Sequence, residues 1–254
     1  MEIYQAIILG IVQGICEFLP ISSSGHLVLI PEFFGWEVQD ISFDAIVHLA
    51  TLTAVIVALR KDIISLFQKQ NHFLIWMIVV GTIPAIIFGL VIKFLNFDFR
   101  HVNVIIVSLV LWAIILYMAD RFVKEEPKEI HGLKWKQAIW IGVAQAIALI
   151  PGTSRSGIVI SAGLFSGLSR SAAARYAFLL GIPAIAAAGL LSCYEVVTGS
   201  VQISVLPLLV GFISAFVTGL FAIQFLLNLL KKGDYKGFAL YRILLAIILI
   251  LFIV

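Results

Sequence analysis

The chain has 254 residues, 62% of them hydrophobic and 12% charged, with mean hydropathy +1.12 and formal net charge +3. A soluble domain carries roughly 25% charged residues, so this composition excludes an ordinary globular fold. It predicts instead an all-α polytopic membrane protein, one membrane domain over 1–254, with no charge excess suited to nucleic acid.

The N-terminal MEIYQAII lacks a basic stretch and a small-residue cleavage site, so it is expected to belong to the fold. Apolar segments follow at roughly 3–30, 43–59, 73–95, 102–120, 137–166, 171–194, 204–230 and 238–254. Each approaches or exceeds the length that crosses a ~30 Å hydrocarbon core. Two are interrupted, by PISSSG at 20–25 and PGTSRSG at 151–157. Proline costs a helix about 3 kcal/mol and frees backbone groups that lipid cannot satisfy, so each break predicts a re-entrant hairpin or discontinuous helix facing protein or a watery cavity. Cys16 and Cys193 have no metal-type spacing and read as buried packing residues.

Lysine and arginine placement orients the chain. The loops 60–72 and 121–136 and the stretch 231–236 are basic, whereas 31–42 and 195–203 hold only Glu32, Glu37, Asp40 and Glu195 among charged residues. The first group is expected inside the cell and the second outside. That requires 137–166 to enter and leave on the cytoplasmic side, with Lys93 and Arg100 as outer-side exceptions that snorkelling absorbs.

Similar strings recur in the same order. ILGIVQ at 8–13 answers IWIGVAQ at 139–145, LPISSSG at 19–25 answers IPGTSRSG at 150–157, and GTIPAIIFGL at 81–90 answers GIPAIAAAGL at 181–190. The expected architecture is an inverted-topology repeat, each half one re-entrant hairpin plus three transmembrane helices. Repeat 1 covers about 1–120, a cytoplasmic loop about 121–136, and repeat 2 about 137–254.

The breaks carry the chemistry. Gln13 and Glu17 share a helical face leading into Pro20; Ser22, Ser23, Ser24 and His26 follow, with Gly25 expected to let the second half-helix start. The second break supplies Thr153, Ser154, Arg155 and Ser156. An ionisable group at membrane depth costs about 2.5–3.5 kcal/mol, so such clustering points to function. Two helix starts converging with Arg155 suit a phosphorylated ligand. Glu17 then fits as a metal ligand or as a base that deprotonates a nucleophile, and His26 as acid, base or nucleophile. The structural alternative for Arg155 is a buried ion pair with Glu17 that ties the repeats together. Asp44 and His48 read as a local hydrogen bond, Arg170 as an anchor, and the 121–136 cluster as a solvated loop.

QGxxEFLPISSSGHL at 13–27 and PGTSRSG at 151–157 closely resemble the two signature motifs of the undecaprenyl-diphosphate phosphatases, the bacitracin-resistance family. The resemblance covers the whole chain. It implies a phosphoric anhydride hydrolase that converts undecaprenyl diphosphate to undecaprenyl phosphate and inorganic phosphate, recycling the lipid carrier for cell-wall polymers and conferring bacitracin resistance. It also implies a divalent cation, Mg or Ca, and a multi-pass protein of the bacterial plasma membrane whose site faces outward. By motif, Glu17, Ser23, His26 and Arg155 are the catalytic candidates. Ser22, Ser24, Ser154, Arg155 and Ser156 are the phosphate-binding ones, and Glu17, with Gln13 nearby, is the metal ligand. Whether serine or histidine attacks phosphorus stays open, as does homo-oligomerisation. Gln13 stands where some members have a second glutamate, and Val159 where a threonine is common. The type-2 phosphatidic-acid phosphatases are excluded because they need a histidine downstream of their Ser-Arg motif, whereas the last histidine here is His131. A polyprenyl-phosphate transporter on the same architecture is the alternative from another class.

Overall fold

The computed structural model describes residues 1–37, 39, 41–95, 101–123, 126–198 and 205–252. The readings placed on Asp40, Arg100, Lys124 and Glu125, and on the side chains of Lys93, Cys193 and Glu195, lie outside the described residues. Among those described there is no strand. The helices are α1 (Ile3–Phe18), α2 (Ser23–Phe34), α3 (Ile41–Ala58), α4 (Arg60–Leu66), α5 (His72–Leu95), α6 (Val102–Arg121), α7 (Trp135–Ile147), α8 (Arg155–Phe165), α9 (Arg170–Thr198), α10 (Val205–Leu229) and α11 (Lys236–Phe252).

Apolar bulk lies outside. Trp76, Phe94, Trp140, Phe221 and Leu251 are all more than half exposed, while Gln13, Asp120, Gln145, Thr153 and Arg242 are buried. That is the distribution of a chain solvated by lipid, where packing relies on close backbone approach. α1 lies on α10 and α5 on α7. A Cβ on Gly14 would come within 2.5 Å of the Ala215 carbonyl oxygen, and one on Gly142 would meet the Gly81 backbone. α3 packs on both α9 and α10, α5 also touches α9, and α6 packs on α11. Among the described residues three helical stretches, Lys69–Ile92, Val102–Arg121 and Val205–Leu229, are long and apolar enough to cross a membrane, and α3 with α4, bent by 74°, meets the same test as a pair. This is a multi-pass helical membrane protein.

Both interrupted segments are broken where the prolines predict, α1 from α2 and α7 from α8, and the pieces of each remain in contact. The sequence reading needs three corrections. Residues 60–72 are not a loop: α4 and a 3-10 turn at Lys69–Asn71 fill most of them. The loop after α6 is not merely solvated, because Lys128 bonds through its backbone to Gly167 and Ser169. Gly25 does not open the second half-helix. Ser22 takes the positive φ of 77° and Gly25 is already helical. Cys16 is buried, as its packing role requires. His48 makes a local bond through its Nδ1 to the Asp44 carbonyl oxygen at 2.6 Å, while the Asp44 carboxylate accepts from Gln39. Arg170 is anchored on the buried carboxylate of Asp120 at 2.6 Å.

Candidate active site

The two breaks adopt the same local structure. Ser22 and Ser154, at φ 77° and 70°, are the non-glycine residues with positive φ among those described. L-residues avoid that region by roughly 1–2 kcal/mol, and each serine offsets the cost by capping its helix. Ser22 Oγ accepts from the Gly25 N–H at 3.3 Å and Ser154 Oγ from the Gly157 N–H at 3.2 Å. A Cβ on either glycine would crowd the capping hydroxyl, which is why both caps are followed by glycine at the third position. The N–H groups of Ser23 and Ser24, and of Arg155 and Ser156, make no hydrogen bond among the described residues. Each break therefore presents free donors at a positive helix end.

Ser23 and Arg155 are the first residues of α2 and α8, and both reach Glu17. Arg155 donates from Nη2 and Nε to Glu17 Oε1 at 2.9 and 3.3 Å. Ser23 Oγ donates to Oε2 at 2.8 Å, and Gln13 Nε2 donates to the same oxygen at 3.1 Å. The third guanidinium nitrogen, Nη1, donates to the Ala177 carbonyl oxygen at 3.0 Å. Gly181, one turn on, leaves the room this needs, since a Cβ there would collide with the guanidinium. A carboxylate only accepts, so the Gln13 amide nitrogen must face Glu17. Its Oε1 is left buried with no partner, beside a carboxylate.

Four of the expected residues thus converge: Gln13, Glu17, Ser23 and Arg155. The direct Glu17–Arg155 pair is also what the structural alternative anticipates, and it does join the two breaks. Ser22, Ser154 and Ser156 have hydroxyls engaged in structure, that of Ser156 donating to the Leu19 carbonyl oxygen at 3.1 Å. Ser24 is exposed and lies 3.4 Å from Ser22 Oγ. Val159 is fully buried.

His26 stands apart. No hydrogen bond joins it to Glu17, Ser23 or Arg155 among the described residues; it faces α11 instead. Its Nδ1 lies 2.6 Å from the Ser22 carbonyl oxygen, which can only accept, so Nδ1 carries the hydrogen. Neutral His26 then has its lone pair on Nε2, where the Tyr241 hydroxyl donates at 2.7 Å, the two rings being parallel within 9°. His26 also lines a groove of about 200 Å³ between α2 and α11, otherwise walled by apolar residues including Phe33, Phe34, Leu245 and Phe252.

Two residues escaped the sequence reading. Tyr241 had no motif to mark it. Arg242 did carry a signal, as a lone guanidinium inside an apolar 17-residue helix. It is fully buried behind both breaks. Nη2 donates to the carbonyl oxygens of Gly152, Thr153 and Ser108 at 2.8, 3.0 and 3.3 Å. Nε donates to that of Leu109 at 3.3 Å, and Nη1 to that of Pro20 at 3.4 Å. Three carbonyl oxygens of the two breaks, those of Pro20, Gly152 and Thr153, thereby find a donor that lipid could not provide.

Residues 6–248 match the family model described as bacitracin resistance protein BacA. The chain belongs to this family. Curated relatives named undecaprenyl-diphosphatase agree along its length. That of Idiomarina loihiensis is 44% identical over 99% of both chains, and that of Marinobacter nauticus 42% identical over 97% of both. The relative from Thermodesulfovibrio yellowstonii is 44% identical over 98% of this chain and 97% of its own. Within this BacA-family chain, Glu17, Ser23 and Arg155 meet at the junction of two helix breaks, and the groove at His26 is a separate apolar surface between α2 and α11.

Proposed function

We propose that the chain hydrolyses undecaprenyl diphosphate to undecaprenyl phosphate and inorganic phosphate, recycling the lipid carrier of cell-wall polymers. The observation that carries this reading is the Glu17–Arg155–Ser23 cluster between two helix starts whose N–H groups are free. When a diphosphate enters, the Arg155 guanidinium exchanges the Glu17 oxygen for phosphate oxygens, which it grips bidentately. The N–H groups at the starts of α2 and α8 hold the same charge. Released from Arg155, Glu17 is the stronger base, and Ser23 Oγ is already bonded to it. Ser23 Oγ forms a bond to the terminal phosphorus, its proton passes to Glu17, and the bond to the bridging oxygen breaks to free undecaprenyl phosphate. Water then hydrolyses the phosphoserine. His26, its Nε2 capped by Tyr241, is assigned proton transfer at the groove end rather than attack, and the groove takes the first isoprene units.

A hard divalent cation would be held by the Glu17 carboxylate and, after an amide turn, by the orphaned amide oxygen of Gln13. Such an ion, Mg or Ca, would neutralise diphosphate charge. Gln13 in place of a second glutamate makes this a one-carboxylate site.

The inverted-repeat reading is supported by mirrored pairing: α1 on α10 matches α7 on α5, and α3 on α10 matches α9 on α5. The two halves, about 1–120 and 137–254, then bring their breaks together near the midplane. From the charge map we infer that the basic segments lie in the cytoplasm and that a bacterial plasma membrane holds the protein, and from the family resemblance that the site opens outward.

The test is phosphate release by the purified protein from undecaprenyl diphosphate with a divalent cation present. Turnover is expected. Binding without turnover across a range of cations would instead indicate a polyprenyl-phosphate transporter.

A further inference from the structure

A second site lies away from the breaks, where α3 bends by 74° into α4 around Leu59. α4 exposes Ile64 and, at its end, Phe67, 65% and 73% accessible. A short helix turned across its neighbour while showing apolar side chains is built to lie in the membrane interface. A cavity of about 490 Å³ opens at the bend, and its lining includes Arg60, Lys61, Asp62, Arg175, Leu59 and Leu227.

The charges there do not balance. Arg175 Nη1 holds both Asp62 carboxylate oxygens, at 2.7 and 2.8 Å, and its Nε and Nη2 make no hydrogen bond among the described residues. Arg60 has a single 3.3 Å bond, to the Val57 carbonyl oxygen, and Lys61 has no ion-pair partner among the described residues. Three cations thus face one carboxylate, above an apolar floor of Ala58 and Leu227. Guanidinium edges with free donors suit phosphate oxygens, and basic pockets between membrane helices bind anionic headgroups.

We propose that this cleft binds the headgroup phosphate of an anionic phospholipid, its acyl chain lying along Ala58 and Leu227. The site shares no lining residue with the Glu17–Arg155 cluster, and the proposal does not rest on the hydrolytic reading. It is tested by native mass spectrometry of the full-length detergent-solubilised protein, titrated with phosphatidylglycerol or with phosphatidylcholine. Phosphatidylglycerol is expected to be retained in preference. The double variant R60Q/K61Q should weaken that binding about thirtyfold, about fivefold for each basic side chain near a membrane surface. A control of equal charge change on exposed lysines elsewhere, K134Q/K136Q, should leave it unaltered. Equal weakening in both double variants would show diffuse attraction and overturn the site. Equal retention of phosphatidylcholine would overturn the anionic preference. Displacement of phosphatidylglycerol by inorganic phosphate would make this a free-anion site and overturn the lipid assignment.

Discussion

The break after Pro20 and the break around Pro151 share a backbone and differ in what it carries. In both, a serine with positive φ caps the glycine three residues on, and the residue between cap and second serine begins the helix. That first helical residue is Ser23 in one and Arg155 in the other. Upstream, Gln13 is followed four residues later by Glu17, whereas Gln145 is followed by Leu149. Gln13 bonds to Glu17, while both side-chain polar atoms of Gln145 are buried without a partner. A common frame holds two helix starts, and side chains at equivalent places divide the labour: acid and hydroxyl from one break, cation from the other. Neither break alone holds the Glu17–Ser23–Arg155 cluster.

The largest effect should come from removing the cation, which the second break alone supplies. Arg155→Ala is expected to lower kcat/KM by about 10²–10³, the usual loss for a preorganised donor to developing charge. It also leaves Glu17 buried and unpaired, so Arg155→Ala/Glu17→Gln serves as the folded reference. Near-normal activity in Arg155→Ala would reduce the pair to a structural tie. Glu17→Gln and Ser23→Ala should each cost about 10²-fold or more, as loss of a base and of the group it activates. Brief exposure to labelled substrate followed by acid quench separates the nucleophiles. Acid-stable phosphoserine at Ser23 is expected, and acid-labile phosphohistidine at His26 would reverse the assignment.

Next comes the residue that holds the two breaks against each other. Arg242→Met keeps the volume but deprives three carbonyl oxygens in the breaks, those of Pro20, Gly152 and Thr153, of their Arg242 donor, whereas Ser108 and Leu109 lie within α6. Leaving buried polar groups unpaired costs about 1–3 kcal/mol each, less whatever water repairs. The variant should therefore lose at least about 3 kcal/mol, read as a large fall in Tm in detergent. Arg242→Lys should recover only part, since an ammonium has three donors and no planar fork. An unchanged Tm in Arg242→Met would mean the breaks do not depend on it.

Much of this was legible because membrane chemistry makes polar residues conspicuous. The two breaks, the pairing of Glu17 with Arg155 as one of two readings, and the hydroxyl at Ser23 all follow from polar residues in apolar segments beside proline. Arg242 obeyed the same rule but sits outside any motif, so it was absorbed into its apolar helix. Tyr241 was not legible: a tyrosine is ordinary in a membrane helix, and only the contact between α2 and α11 shows that it caps His26. Positive φ at Ser22 was also hidden. Local preference pointed to Gly25, whereas the cap needs a side-chain oxygen at the turn and an absent Cβ three residues later.

The smallest effects give the finest test of the shared frame. Ser22→Gly and Ser154→Gly each lose a capping hydroxyl, worth about 1 kcal/mol, but place glycine where φ is positive. These terms oppose each other, so each variant should change stability by less than about 1 kcal/mol. Ser22→Ala and Ser154→Ala lose the cap and keep a Cβ at the strained position, so each should cost about 1–2 kcal/mol. The order Ala worse than Gly should hold at both breaks and by similar amounts, measured as Tm differences in one detergent. If it holds after Pro20 but reverses near Pro151, the resemblance of the two turns is geometric only. The second is then fixed by Arg242, which donates to Gly152 and Thr153 immediately before the cap.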